Sequence, residues 1–220
     1  MRIYFFALVS LCVGLGCNDS DDANENTAPE APDMAVVADV EVEPRPDPLP
    51  LPAPGVWETV RPGGETLCSR GTEFRFYLRG GDPAKVLVYF QGGGACWDDI
   101  TCSIADSIFS DAVYEPEDLN DIADAFNAGV FSTEENSPYK DYTFLYIPYC
   151  TGDVHWGDAT VEYANELTIH HRGYQNTKAA LEYLYDRIYD PEEIFVTGCS
   201  AGAYGAILNS VFIAENYTNS

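Results

Sequence analysis

Short apolar runs alternate with amphipathic stretches along most of the chain. Residues 85–91 and 142–148 are continuous apolar and aromatic runs, as expected of strands buried on both faces of a mainly parallel sheet. The alternating aromatic stretch 72–78 predicts a further strand. Apolar positions at helical spacing predict helices over 116–128 and 173–190. Strands that alternate with helices in this way predict an α/β architecture with right-handed crossovers.

A Gly-x-Ser-x-Gly motif follows the last apolar run. Residues 194–197 are β-branched or aromatic, the motif spans 198–202, and a helix is predicted over 201–215. This order of strand, sharp turn and helix is that of a nucleophile elbow, whose central serine occupies a strained turn. The pentapeptide alone also occurs in ordinary turns, so the prediction depends on its context. Ser200 is the candidate nucleophile, and the Ala201 amide is a candidate donor to a developing oxyanion.

Three consecutive glycines end the predicted strand at 85–91. Glycines contribute no side chain to a core, so a triplet suits a place where a backbone must approach something closely. An early loop of α/β hydrolases donates a backbone N–H to the oxyanion hole and is often His-Gly-Gly-Gly. Here Gln91 precedes the triplet. We expect the amides of Gly93 and Gly94 to join that of Ala201, with a merely flexible turn as the structural alternative.

The N-terminal region predicts export. Residues 1–16 combine a basic residue, an apolar core and small residues, which is typical of a signal peptide. The end of this segment resembles the lipobox of bacterial lipoproteins and predicts lipidation of Cys17, although Gly14 stands where leucine is usual. A plain signal peptide is the alternative. Residues 18–55 are acidic and proline-rich, which predicts a disordered linker, and the folded domain is predicted over 56–220.

The net charge of the chain argues against some classes of binding partner. The 220-residue chain carries a formal net charge of −25, which argues against nucleic acid and anionic membrane surfaces as partners. Membrane contact is therefore expected only through a lipid anchor. The localisation that follows is an exported protein, either anchored as a lipoprotein at a bacterial cell envelope or secreted. The sequence implies no cofactor and no metal.

Five of the seven cysteines lie in the predicted domain, and export permits disulfides among them. Cys96 and Cys102 flank a short loop just past the glycine triplet, and Cys68 and Cys150 are a second candidate pair. Sequence alone leaves the connectivity open. A zinc site is the rival interpretation, but the spacing is not Cys-x-x-Cys. Cys199 is left over and is expected to be buried and inert, or bridged to a cysteine outside this chain.

Four segments occur together in a specific order: Leu-Cys-Ser at 67–69, the run 88–97 with Cys102 after it, the run 147–155, and the serine motif at 198–202. In order and spacing they resemble the pectin acetylesterase family, from about residue 68 to the end. The resemblance implies an α/β-hydrolase fold and a serine carboxylesterase. It places Ser200 on the nucleophile, Gly93, Gly94 and Ala201 on the oxyanion hole, and a bridge between Cys96 and Cys102.

The chain departs from the family in its histidines. In this fold the catalytic Asp and His follow the nucleophile, whereas His155, His170 and His171 all precede Ser200. We therefore expect the chain to be the N-terminal part of a longer protein, truncated after the elbow helix and inactive alone. His155 is expected to shape the pocket rather than act as the base, and His170 and His171 are expected to begin a helix. Candidate pocket residues are Trp97, Asp153, His155 and Trp156.

The predicted reaction is hydrolysis of an ester through an acyl-enzyme. By analogy with the family, the acyl group is small, such as acetyl on a polysaccharide. One alternative is a lipase-like or peptidase-like hydrolase on the same fold. The other is a non-catalytic, surface-anchored binding protein that keeps the scaffold.

Overall fold

The computed structural model describes residues 2–4, 45–104, 107–113 and 129–218. The predicted helix over 116–128, the lipidation site Cys17 and residues 18–44 of the predicted linker lie outside these ranges. Among the described helices, none combines the length and the apolar character needed to span a bilayer.

A six-stranded sheet forms the centre of the fold. Its strands, in chain order, are β1 (Arg2–Tyr4), β2 (Trp57–Val60), β3 (Phe76–Arg79), β4 (Asp82–Phe90), β5 (Tyr142–Ile147) and, after a separate hairpin of β6 (Ala159–Tyr163) and β7 (Leu167–His171), β8 (Glu193–Gly198). The spatial order is β1-β8-β4-β5-β3-β2. Strands β1, β8, β4 and β5 run parallel to one another, while β3 and β2 complete the sheet in antiparallel pairing.

The helices lie between these strands or follow the last of them. They are α1 (Asp99–Ser103), a 3-10 turn (Gly129–Phe131), α2 (Gly173–Tyr185) and α3 (Ala201–Thr218). The α3 helix follows β8 directly and packs against β8 and β4. A mixed sheet with a parallel centre and flanking helices confirms the predicted α/β fold class.

Side chains of the central strands alternate between two apolar layers. Val86 and Val88 of β4 pack in one cluster with residues of α2 and α3, including Leu184 and Ile213. Leu87, between them, joins a mainly aromatic cluster on the other face of the sheet. Every residue of β5 is buried, which accounts for its unbroken apolar sequence.

Three predictions about helix ends differ from the structure. The helix predicted over 201–215 continues to Thr218. The helix predicted to reach residue 190 ends at Tyr185, because the amides of Arg187 and Ile188 both donate to the Leu184 carbonyl and close the last turn. His170 and His171 do not begin a helix. They end β7, which pairs antiparallel with β6 and buries Ile169.

The sheet-containing unit begins, in this part of the chain, at Pro48. The Leu49 amide donates to the Asp186 carbonyl over 2.8 Å, and Pro54 pairs with Gly80. The last residues assigned to the predicted linker therefore contact the folded body. Residues 1–16 remain a predicted signal peptide. Strand β1, which pairs with β8, lies within this segment.

Candidate active site

Ser200 lies in the sharp turn between β8 and α3. Its φ of +54° is in the left-handed region that a non-glycine residue seldom adopts, and its side chain is exposed. The turn is closed by the Gly202 amide, which donates to the Cys199 carbonyl over 2.8 Å. A Cβ at Gly198 would collide with the Gly202 carbonyl oxygen, and one at Gly202 would collide with the Phe90 carbonyl oxygen. The motif glycines are thus needed where main chains cross.

The glycine loop (residues 91–94) lies against this turn. A Cβ at Gly92 would collide with the Cys199 carbonyl oxygen and would lie 3.1 Å from the Ser200 Cβ. On the other side of the loop, the Ser110 amide donates to the Gly93 carbonyl over 2.8 Å. Gly94 has a φ of +76°. A Cβ at Gly93 would meet the side chains of Tyr149 and Ser110, and one at Gly94 would collide with the Ile108 carbonyl oxygen. The loop is therefore confined between the elbow on one side and residues 108–110 on the other, which explains three glycines in succession.

Ala201 is the first residue of α3 and is buried. It stands next to Ser200 at the N-terminus of an 18-residue helix, where main-chain N–H groups carry partial positive charge. Ser200, Ala201 and the glycine loop are thus brought together at the carboxyl ends of the neighbouring strands β8 and β4. The arrangement can offer a hydroxyl nucleophile beside several main-chain donors.

His155 is 1% exposed and lies beneath the glycine loop. Its Nε2 is 2.8 Å from the Gln91 carbonyl oxygen, so in the neutral imidazole Nε2 carries the proton and donates it. The ring packs edge-on against Phe90 at 5.2 Å and lies 4.8 Å from the Tyr149 ring. Burial lowers the pKa of His155 to about 4. A buried donor with this pKa is suited to holding the loop and not to accepting a proton from Ser200.

Asp153 stabilises the turn that carries His155. One carboxylate oxygen accepts from the Thr151 hydroxyl at 2.6 Å and the His155 amide at 3.2 Å, and the other accepts from the Gly173 amide at 2.7 Å. The last bond satisfies an orphan donor at the start of α2. Burial raises the pKa of Asp153, and these hydrogen bonds oppose that shift. The carboxylate is therefore committed to the turn.

The two tryptophans proposed for the pocket are both exposed, Trp97 by 70% and Trp156 by 41%. Trp156 stacks on Phe212 at 5.8 Å and meets Tyr174 edge-on at 6.2 Å. Phe212 and Tyr174 line a cavity of about 600 Å³ between α2 and α3. Trp156 therefore contacts two residues that line this cavity, and its role at the acyl pocket stays a prediction, as does that of Trp97.

The other two histidines are also engaged away from Ser200. His171 is buried, with Nδ1 at 2.9 Å from the Thr151 carbonyl oxygen and Nε2 at 3.0 Å from the Tyr163 hydroxyl. His170 Nδ1 is 3.2 Å from the Thr160 hydroxyl. In the described part of the chain, then, each histidine has a ring nitrogen hydrogen bonded to a group other than Ser200.

Both candidate disulfides are present, Cys68–Cys150 and Cys96–Cys102. The second closes the loop that follows the glycine triplet, and the Cys96 amide donates to the Gly152 carbonyl beside the histidine turn (residues 153–155). Cys96, Cys102 and His171 place potential ligand atoms within 4.8 Å of one another. Because both sulfurs are bridged, they are not available as thiolate ligands.

The expectation that Cys199 is buried is wrong. Cys199 is exposed and free. Strand β8 ends at Gly198, so Cys199 belongs to the turn that follows the strand. Like Ser200 in the same turn, it is exposed.

Three residues that support the site were not predicted: Gln91, Tyr149 and Gly205. The Gln91 side-chain oxygen accepts from the Tyr149 amide at 3.0 Å, and the Tyr149 hydroxyl accepts from the Val154 amide at 2.9 Å. A Cβ at Gly205 would lie 2.8 Å from the His155 ring. A glycine within a predicted helix was the available sign of close packing. Nothing in the local sequence marks the other two.

A strained serine between a β-strand and a helix, beside a glycine loop at the carboxyl ends of parallel strands, defines a site of the α/β-hydrolase class. The chain belongs to the pectinacetylesterase family, whose model matches residues 60–219. This match confirms the predicted family.

One curated relative and two solved structures are similar to this chain. The palmitoleoyl-protein carboxylesterase NOTUM of Schmidtea mediterranea is 28% identical over 131 residues, which are 57% of this chain and 23% of that protein. Two crystal forms of the Wnt deacylase Notum from Drosophila are similar in fold, each with a TM-score of 0.55 and 23% identity. They are matched over 71% and 70% of this chain, and 45% and 46% of theirs. The chain thus spans less than half the length of these relatives.

Proposed function

We propose that the chain carries the nucleophile and oxyanion hole of a serine carboxylesterase that hydrolyses small acyl esters, such as acetyl groups on a polysaccharide. The observation that carries the proposal is the exposed Ser200 at φ +54°, held between the glycine loop and the N-terminus of α3. The family's name, pectinacetylesterase, supports a small acyl group on a sugar polymer. The relative from Schmidtea is named for a palmitoleoyl ester, so acyl length is a property to be measured.

In the proposed mechanism the Ser200 oxygen attacks the ester carbonyl carbon and loses its proton to a histidine that is not among the three in this sequence, which an aspartate orients. The carbonyl oxygen becomes an oxyanion that accepts hydrogen bonds from the amides of Ala201, Gly93 and Gly94. A donor of this kind typically stabilises the transition state by about 3 kcal/mol. The C–O bond to the alcohol then breaks, and the alcohol leaves with the histidine's proton. Water attacks the acyl-enzyme by the same steps, with no cofactor.

The test uses the complete product of the gene, with p-nitrophenyl acetate as substrate. Ser200→Ala is expected to lower kcat at least about 1,000-fold, because the nucleophile is removed. The neighbouring Cys199→Ser is the matched control and is expected to retain activity, since the elbow presents the central residue of the motif. A fluorophosphonate probe should label the wild-type protein at Ser200 and not the alanine variant.

Two outcomes would reject the proposal. One is activity in Ser200→Ala that matches the wild type, and the other is loss of activity in Cys199→Ser alone. A folded, complete protein with neither activity nor labelling would favour the non-catalytic binding protein instead.

Export is part of the proposal. Disulfides are typical of oxidising compartments, and the chain holds two of them in the folded unit. We propose lipidation at Cys17, with the acidic proline-rich segment as a spacer and no nucleic-acid partner. Cys17→Ser is expected to move the protein from the detergent phase to the aqueous phase in a detergent partition experiment. Cys12→Ser is the control, and unchanged partition of Cys17→Ser would exclude a lipid anchor at this residue.

A further inference from the structure

The glycine loop has a single buried side chain donating to its first carbonyl. His155 lies between β4, the loop after β5 and α3, and contacts each of them. Its ring meets Phe90 at 5.2 Å and Tyr149 at 4.8 Å, and a Cβ at Gly205 would approach it to 2.8 Å. The imidazole thus fills the space beneath the elbow, where α3 has a glycine in place of a larger residue.

The hydrogen bond from His155 fixes the orientation of one peptide group. Because the peptide unit is planar, holding the Gln91 carbonyl oxygen toward Nε2 also holds the Gly92 N–H on the opposite side. Glycine peptides rotate easily, since no Cβ restricts them. A flip of the 91–92 peptide would break the bond to His155. The flanking groups of Gln91 are held too, its amide by Ile147 and its side chain by Tyr149.

The fold places His155 here at the cost of backbone strain. Val154 and His155 have φ values of +54° and +65°, and a β-branched residue in this region is an outlier. The strained conformation is held by the Tyr149 hydroxyl, which accepts from the Val154 amide, and by Asp153, which accepts from the His155 amide. Asn165 and Glu166 are also consecutive left-handed residues, but they form the turn between β6 and β7, whereas Val154 and His155 lie in a loop packed against the glycine loop.

We propose that His155 is a positioning residue for the oxyanion hole: its Nε2–H, donated to the Gln91 carbonyl, fixes the 91–92 peptide at the start of the glycine loop, and thereby the path of the chain that carries the amides of Gly93 and Gly94 beside Ser200. This inference rests on the proposed esterase function. The proton on Nε2 stays on His155 throughout the reaction, and no bond to His155 forms or breaks.

The test compares His155→Leu with His155→Gln in the complete protein. Leucine removes the donor, whereas the glutamine amide nitrogen can donate from nearly the same place. We expect His155→Leu to lower kcat about 10- to 100-fold with KM changed less than about 3-fold, because a misplaced oxyanion donor acts in the transition state. His155→Gln is expected to stay within about 5-fold of the wild-type kcat. If His155 served only to pack the interior, variants with equal melting temperatures should have similar kcat values. A restored kcat in His155→Gln beside a low kcat in His155→Leu would therefore exclude a role in packing alone.

A second readout is independent of catalysis. Ring nitrogen NMR should show His155 neutral with the proton on Nε2, and amide exchange of Gly92, Gly93 and Gly94 should accelerate in His155→Leu and not in His155→Gln. If the protein hydrolyses no ester but these two results hold, the proposed function fails and the positioning role stands. An unprotonated Nε2 in the wild type overturns the inference even where the leucine variant does not fold. So does wild-type kcat in a folded His155→Leu.

Discussion

Ser200 and His155 are both non-glycine residues in the left-handed region, with φ of +54° and +65°, yet the fold uses them in opposite ways. Ser200 is exposed and stands where a substrate can reach it. His155 is 1% exposed, and its ring is hydrogen bonded to the Gln91 carbonyl inside the protein. The same kind of backbone conformation thus exposes the proposed nucleophile at the elbow and buries the proposed positioning residue at the histidine turn.

The two turns are also held by different means. At the elbow the constraint is steric, because main chains approach so closely that Gly198 and Gly202 leave no room for a Cβ. At the histidine turn the constraint is polar, since Asp153 and Tyr149 accept the amides of the two strained residues. A substitution that adds bulk should therefore disrupt the elbow. Protonation of the buried His155 should weaken the histidine turn.

Gly202→Ala is expected to give the largest effect. The added Cβ would collide with the Phe90 carbonyl oxygen and lie 2.8 Å from the Gln91 carbonyl carbon, and neither backbone group can move without distorting β4 or the glycine loop. Overpacking against main chain should cost about 3 kcal/mol of unfolding free energy and abolish most esterase activity. Denaturant unfolding and the p-nitrophenyl acetate assay measure the two effects.

Gly205→Ala is the matched comparison in the same helix. Its Cβ would lie 2.8 Å from a ring atom of His155, which is a side chain and has some freedom to move. Both glycines lie in α3, so the comparison rests on what each Cβ meets, main chain at Gly202 and a side chain at Gly205. The cost of Gly205→Ala should therefore be smaller than that of Gly202→Ala. Equal destabilisation by the two alanines would contradict the claim that the main-chain contacts at the elbow are the ones that cannot relax.

The sequence predicted the elbow well because its requirements are local. A strand, two glycines around a serine, and a helix are all encoded within residues 193–218. Strand β5 was likewise predictable, since a strand buried on both faces is mainly apolar, and β4 and β8 each contain a run of β-branched and aromatic residues. The β6–β7 hairpin was not predicted, because each strand has only five residues and β6 buries none of them.

The role of His155 could not be predicted in the same way, because its partner Gln91 is 64 residues away in the sequence. Nothing local encodes the left-handed turn either, since Val154 occupies a position where glycine or asparagine would be the usual sign. The expected burial of Cys199 failed for a related reason. A small apolar residue after a buried strand is ordinarily inside, but here the turn carries it out with Ser200.

A change in pH should have a smaller effect on stability, through the titration of His155 in the histidine turn. The pKa of His155 falls from 6.5 to about 4 on folding because the ring is buried. As pH falls below 6.5, the unfolded chain binds a proton at this residue that the folded protein does not. The free energy of unfolding therefore decreases with falling pH, and this loss ends near pH 4. Between pH 7 and pH 5 the loss should be about 2 kcal/mol.

The matched control for this prediction is His155→Gln, which cannot titrate at that position. Asp153 faces the same turn and its pKa is raised by burial, so its own contribution increases stability as pH falls. Asp153 is present in both proteins, and the difference between their pH profiles should therefore isolate His155. Urea unfolding at pH 7, 6 and 5 is the measurement. Parallel profiles for the two proteins would mean that burial does not keep the imidazole neutral. The contrast between His155 and the exposed Ser200 would then be one of geometry and not of solvation.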